Sequence, residues 1–246
     1  MQSSIGKRAL LGVLTPSSNT VLEPLTCAML HDLPDVSAHF GRFRVREISL
    51  REEALGQFEA APILEAAGLL ADARVGSIIW SGTNAGWMGF AADENLCHEI
   101  TEATGIPAGS SVLALNEIFG LTGVTRFALV TPYLDEIQLR ILENYARAGF
   151  ECIAERHLRD PGNFSFSEVS EATIARMIRE VATERPEAIT VFCTNLRGAG
   201  VVEALEAETG IPIYDTVATG VWKSMRLAGA DPRRIKGWGR LFAEVG

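Results

Sequence analysis

Three stretches of this 246-residue chain occur twice, and the two sets keep the same order. Leu14-Thr15-Pro16-Ser17-Ser18-Asn19 is mirrored by Val130-Thr131-Pro132-Tyr133-Leu134-Asp135. Ser77-Ile78-Ile79-Trp80-Ser81-Gly82-Thr83-Asn84 is mirrored by Ala188-Ile189-Thr190-Val191-Phe192-Cys193-Thr194-Asn195, and Thr104-Gly105-Ile106-Pro107 by Thr209-Gly210-Ile211-Pro212. The first two pairs are apolar runs that end in a polar loop. Such repetition restricts the chain to two copies of one unit, and copies that meet at a cleft present matching loops face to face. The asymmetry within the second pair is the main clue to function: one half offers the thiol of Cys193, the other offers Gly82 and empty space.

Short β-rich apolar runs alternate with helical patterns throughout, which predicts an α/β fold with mostly parallel sheets. Strands are expected at residues 10–14, 37–45, 76–80, 106–110, 127–130, 152–157, 188–192 and 213–215. Helices are expected at 21–30, 58–72, 91–104, 134–148, 171–183, 201–209 and 219–227. In the clearest helix, Ile137, Ile141, Leu142 and Tyr145 recur at the spacing of one face. The organisation read from this is two pseudo-symmetric, doubly wound halves, each with a four-stranded sheet. They are residues 1–115 and 116–216, with a C-terminal helical segment 217–246 packing back on the first. In open parallel sheets ligands bind beyond the carboxyl ends of the strands, where loops and helix N-termini converge. The loops at 16–20, 82–84, 132–133 and 193–195 all fall there, which sets the site at the interface of the halves.

Composition removes several function classes. A formal net charge of −9 with no dense basic run argues against nucleic acid as a partner. No apolar run approaches the roughly 18–20 residues of a membrane span. The short stretch Ala9–Leu14 behind Lys7 and Arg8 reads as a first strand rather than a signal segment. Cys27, Cys97, Cys152 and Cys193 form no CxxC pair and are expected as free thiols, which with the rest predicts a soluble cytoplasmic protein. His31, His39, His98 and His157 are scattered without ligand spacing, so no metal is expected. There is no glycine-rich nucleotide loop and no serine-centred nucleophile elbow. A homo-oligomer is compatible with the sequence and not specified by it.

Cys193 ends an apolar strand and is followed by a hydroxyl, an amide and, nearby, Arg197, a setting that suits a nucleophile or acid better than a core cysteine. The other three cysteines sit within helical or strand patterns and read as structural. Thr83 and Thr194 are expected to aim hydroxyls at one shared position, with Asn84 and neighbouring amides completing an anion nest. Ser18 and Asn19 suit a helix cap and a carboxylate contact equally. Tyr133 at a strand exit would make a good oxyanion donor. Asn163, in Pro161-Gly162-Asn163-Phe164, reads on its own as a turn residue.

Nearly the whole chain resembles the aspartate/glutamate racemase superfamily, in its branch of arylmalonate decarboxylases and maleate cis-trans isomerases. The pieces that carry the likeness are Pro16-Ser17-Ser18-Asn19-Thr20, Gly82-Thr83, residues 130–135, Cys193-Thr194-Asn195 and the tail Gly237-Trp238-Gly239-Arg240-Leu241-Phe242. The resemblance implies chemistry without metal or organic cofactor on a small carboxylate or dicarboxylate, with one cysteine from each half facing the substrate carbon. It implies carboxylate-binding or catalytic roles for Asn19, Tyr133, Asn163 and Cys193, and makes Gly82 the position of the missing second cysteine, as in arylmalonate decarboxylases. With one thiol removed, two-base racemisation and covalent cis-trans isomerisation both lose a partner. Decarboxylation of a substituted malonate needs only a proton donor, because loss of CO2 generates the carbanion. Thr83, Tyr133 and Thr194 would then hold the retained carboxylate, the leaving one would face Leu14, Phe43 and Val45, and Cys193 would start protonated. The alternatives are a maleate isomerase or racemase using another group opposite Cys193, and a non-catalytic dicarboxylate-binding protein.

Overall fold

Two four-stranded, all-parallel sheets form the frame of the computed structural model, which describes residues 8–45 and 60–246. The first contains β1 (Ala9–Pro16), β2 (Val36–Phe43), β3 (Ser77–Trp80) and β4 (Ala108–Ser110), in the order β2-β1-β3-β4. The second contains β5 (Arg126–Thr131), β6 (Glu151–His157), β7 (Ala188–Val191) and β8 (Ile213–Asp215), in the order β6-β5-β7-β8. The two orders are the same, so the sequence repeats mark a repeat of topology. Central strands β3 and β7 are buried at every position, as strands covered on both sides must be.

The helices are α1 (Leu22–Met29), α2 (Ala60–Asp72), α3 (Ala85–Met88), α4 (Phe90–Thr104), α5 (Ser111–Thr122), α6 (Asp135–Arg147), α7 (Glu171–Ala182), α8 (Val202–Thr209), α9 (Thr216–Leu227) and α10 (Arg240–Glu244). The start of the helix expected at Phe58 lies outside the described residues. Sequence reasoning missed α5 and treated residues 110–125 only as the junction of the halves. The reason is physical: its less buried face carries Leu113, Gly120 and Leu121 beside Asn116 and Glu117, so apolar and polar positions contrast too weakly to reveal helical periodicity. The last long helix begins at Thr216, not Thr219, because Asp215 caps it by accepting from the N–H groups of Val217 and Ala218.

The repeated Thr-Gly-Ile-Pro units have a definite mechanical use. Gly105 and Gly210 end α4 and α8 in the left-handed region, at φ of 69° and 73°. The preceding threonines bond back into the helix and accept the N–H of Ile106 and Ile211. Pro107 and Pro212 then offer their carbonyls to Ile78 and Ile189, which starts the pairing of β4 with β3 and of β8 with β7. Helix α9 lies across the junction, where Thr219 donates to the Ser111 carbonyl at 2.8 Å and Ser224 pairs with Ser77. A side chain at Gly220 would strike the Ser111 hydroxyl at 2.7 Å, so this approach depends on glycine.

A continuous apolar core runs through both halves, with the Tyr145 ring in contact with those of Phe119, Phe127 and Phe192. A smaller core behind the first sheet contains Leu14, Phe43, Ile63 and Trp80. Asp93 of α4 is fully buried, and burial pushes its carboxyl up to about 7 against a smaller opposing pull from Ser110. The folded state therefore holds this proton more tightly than the unfolded chain between about pH 4 and 7, and the group's contribution to stability declines as pH rises through that window. Asp93→Asn should raise Tm relative to wild type more at about pH 8 than at about pH 5. Thermal unfolding at the two pH values checks this, and an equal shift at both would contradict it.

Candidate active site

The loops that leave β1, β3, β5 and β7 line one cavity between the two halves. Cys193 follows β7 by two residues and is buried, and its side chain lines this cavity rather than the core alone. Gly82, Thr83 and Asn84 line it from the opposite half, with Tyr133, Thr194, Asn163 and Asn19 completing the polar part of the wall. The expectation that these loops face each other agrees with this geometry.

Most of the polar residues hold each other. Asn19 Oδ1 accepts the N–H groups of Val21 and Leu22, both at 2.9 Å, which caps the entry to α1. Its Nδ2 crosses to the other half and donates to the Thr194 carbonyl at 3.1 Å and the Thr194 hydroxyl at 3.2 Å. That hydroxyl donates in turn to the Ser81 carbonyl. Asn163 donates to Ser18 Oγ at 2.7 Å, and its carbonyl accepts from Asn195 Nδ2 at 2.7 Å. Asn195 Oδ1 also accepts the N–H of Thr20. Ser18 donates to the Val45 carbonyl and stands behind the cavity wall rather than in it. In this arrangement Asn19, Ser18, Asn163 and Thr194 fasten the loops together, and the Thr194 hydroxyl proton points at protein.

Thr83 and Tyr133 are differently placed. Their hydroxyl oxygens are 2.6 Å apart across the two halves, and both side chains line the cavity. One hydrogen bond between two hydroxyls leaves one O–H to give elsewhere. The phenol is held rigidly by edge contacts with Trp87 and Phe166, at centroid distances of 5.3 and 5.7 Å. It also hydrogen-bonds the sulfur of Cys193, which links Thr83, Tyr133 and Cys193 in sequence.

Burial pushes the Cys193 thiol up to about 12, and the buried carboxylate side chain of Asp215 adds to that. Hydrogen bonds from Tyr133 and from the N–H groups of Asn195 and Leu196 pull the other way and do not offset it. The Tyr133 phenol is likewise pushed upward by burial. Both groups are therefore protonated near neutral pH.

Two sequence expectations need correction. The place opposite Cys193 is not empty: a Cβ on Gly82 would lie 2.0 Å from Cζ2 and 2.4 Å from Cε2 of Trp80. The indole fills the direction that a side chain at residue 82 would take. Of the expected apolar wall, Val45 lines the cavity, but Leu14 and Phe43 do not. Leu14 is the direct partner of Trp80 in the β1–β3 register, and Phe43 packs against the Trp80 ring at 5.0 Å. The larger indole reaches the cavity and keeps both behind it. Trp80, Trp87 and Phe166 were not identified from the sequence. Trp80 had a signal: residues two apart on an extended segment share a face, so position 80 lies beside position 82. Arg197 belongs to a separate surface hollow with Thr20 and Glu171, and Arg42 pairs with Glu23.

This two-sheet architecture has solved counterparts. A mutant of the Nocardia farcinica maleate cis-trans isomerase with a covalently bound succinylcysteine intermediate aligns with a TM-score of 0.88 and 24% identity, covering 98% of this chain and 100% of that one. A liganded mutant of arylmalonate decarboxylase aligns at 0.84 with 22% identity, covering 96% and 99%. At these identities they show the fold, that of the branch holding both enzymes. The sequence profile described as "Arylmalonate decarboxylase" matches residues 26–242, and the chain belongs to that family. Among relatives, the arylmalonate decarboxylase of Bordetella bronchiseptica is 29% identical over 161 residues, 64% of this chain and 67% of its own length. The maleate isomerase of Nocardia farcinica is 24% identical over 244 residues, 95% of each chain.

Because Asn19 both caps α1 and joins the halves, Asn19→Ala should cost about 2–3 kcal/mol of stability, the sum of a lost cap and a buried bond broken. Urea unfolding measures it; a cost below about 0.5 kcal/mol, the size of a surface change, would remove Asn19 from this role.

Proposed function

We propose that the protein is a cofactor-free decarboxylase of a substituted malonate or similar geminal diacid, with Cys193 as its proton donor. The observation that carries this reading is a single buried thiol in the same cavity wall as the Thr83–Tyr133 hydroxyl pair. Cys193 is the one sulfur among the described residues lining the cavity, and burial pushes its thiol up to about 12. A protonated thiol is a poor nucleophile and a suitable acid.

In the proposed reaction the bond from the substrate α-carbon to one carboxylate breaks, and its electron pair stays on the α-carbon as an enediolate. The one O–H that the Thr83–Tyr133 pair does not spend on itself would turn to an oxygen of the retained carboxylate. Donors aimed at charge that develops in the transition state are worth about 2.7–4 kcal/mol each when removal is measured. The departing carboxylate lies against the apolar wall of Val45 and Trp80, where water cannot stabilise it, and CO2 leaves as a neutral molecule. The S–H bond of Cys193 then gives its proton to the α-carbon, and solvent returns a proton to the thiolate. Asn19, Asn163 and Thr194 keep the opposed loops in register for this transfer.

The relative that matches nearly the whole chain is a maleate isomerase, which favours cis-trans isomerisation of a small unsaturated dicarboxylate as the second reading. Against it stands the absence of a second thiol at residue 82 and a Cys193 that resists ionisation.

A panel of aryl- and alkylmalonates, with maleate as an added substrate, followed by proton NMR in deuterated water, separates the two. The expected result is CO2 release with one deuterium on the product α-carbon, lowered at least roughly 10²-fold in Cys193→Ala and roughly 10²–10³-fold in Thr83→Val. Maleate conversion with every malonate inert would replace the decarboxylase reading by the isomerase one. Since the thiol stays protonated to high pH, kcat should show no loss from Cys193 ionisation between neutrality and about pH 10. A thiol-dependent fall near pH 8 would contradict the proposed acid.

A further inference from the structure

We infer that Trp80 holds the place of the missing second catalytic group, sealing the face opposite Cys193 so that a proton reaches bound substrate from one side only. The stereochemical part of this inference rests on the decarboxylase reading above. The occupancy part does not.

Four observations converge on the indole. Trp80 is completely buried, yet it lines the cavity that holds Cys193. Its benzo edge crowds residue 82 so closely that Cβ would come within 2.5 Å of Cζ2, Cε2 and Cη2, distances that no side chain tolerates. The ring is not free to step aside: Nε1 donates to Asn84 Oδ1 at 2.7 Å, and Phe43 packs against the ring on another side. The N–H that anchors it is also its one exchangeable proton, so the edge turned toward residue 82 carries carbon alone and can neither take nor give a proton.

Glycine at 82 is thus one half of a pair of choices. Here the strand places an apolar ring where a side chain at 82 would project, and the ring also excludes water from that face. An enediolate formed in the cavity meets the S–H of Cys193 on one side and hydrocarbon on the other. The product should be of one hand, and a thiol introduced at 82 has no room until the indole is removed.

The test has two arms. The first needs no activity: Tm is measured for wild type, Gly82→Cys, Trp80→Leu and the double variant. Gly82→Cys should lower Tm by roughly 5 °C, while in the Trp80→Leu background the same change should cost less than roughly 2 °C. Equal losses in both backgrounds would overturn the occupancy. The second arm uses a malonate carrying one methyl and one phenyl group, with the enantiomers of the product acid separated by chiral chromatography. Wild type should give one hand in large excess. In Trp80→Leu the ratio of major to minor enantiomer should fall at least roughly tenfold as solvent protons reach the opened face. An unchanged ratio in a folded, active Trp80→Leu would overturn the seal. Failure of wild type on every malonate would overturn the decarboxylase reading and the stereochemical role together, and the Tm cycle decides the occupancy separately.

Discussion

Asn19 leaves the end of β1, uses its oxygen to start α1, and uses its amide nitrogen to reach the backbone and side chain of Thr194 in the other half. This crossing, extended by the bonds of Thr194 to Ser81 and of Asn195 to Asn163, brings two strand exits from separate sheets together. The cavity exists because these loops are tied at their polar ends while their apolar bodies stand apart. Buried polar atoms must find partners, and here the partners lie across the pseudo-symmetric interface. The same bonds that satisfy the loops therefore fix the position of Cys193 against Thr83 and Tyr133.

Withdrawal from water then sets the chemistry. A thiol in this position is pushed toward its neutral form by burial and by Asp215, and the phenol beside it is treated likewise. Three aromatic side chains, Trp80, Trp87 and Phe166, supply the dry part of the wall. An environment of this kind keeps the thiolate population low and leaves the proton on sulfur until a strongly basic carbanion takes it, because desolvation penalises the charged form. The duplicated fold allows two chemical groups to confront each other across one carbon. In this chain one of the two places is given to an indole edge, which converts a symmetric frame into a one-sided site.

Much of this was legible in the sequence because duplication exposes itself twice. The paired apolar runs and the paired Thr-Gly-Ile-Pro turns marked the strands and their entries, and the sheet order repeats as the pairs require. The convergence of Gly82, Thr83, Tyr133 and Cys193 followed from their position after strands. What was not legible depended on volume and direction. The less buried face of helix α5 is largely apolar, with Leu113 and Leu121 beside Asn116 and Glu117, so periodicity could not disclose it. Leu14 and Phe43 are apolar residues near the site, but only packing decides that Trp80 comes between them and the cavity. A glycine in a sequence reads as space; whether a neighbour fills that space is a property of three dimensions. The roles of Asn19, Asn163 and Thr194 as fasteners follow from where their amide and hydroxyl hydrogens point, which residue type alone does not specify.

The ionisation of Cys193 in the unliganded protein tests the central claim most directly. Cysteine labelled with isotope at the β-carbon gives a resonance that shifts between thiol and thiolate, and loss of one signal in Cys193→Ser assigns it. The account predicts a Cys193 signal that remains that of the thiol through neutrality and ionises only near about 12 or with alkaline unfolding. A transition completed below about pH 8.5, the ordinary cysteine value, would show an exposed or stabilised thiolate and would contradict the account.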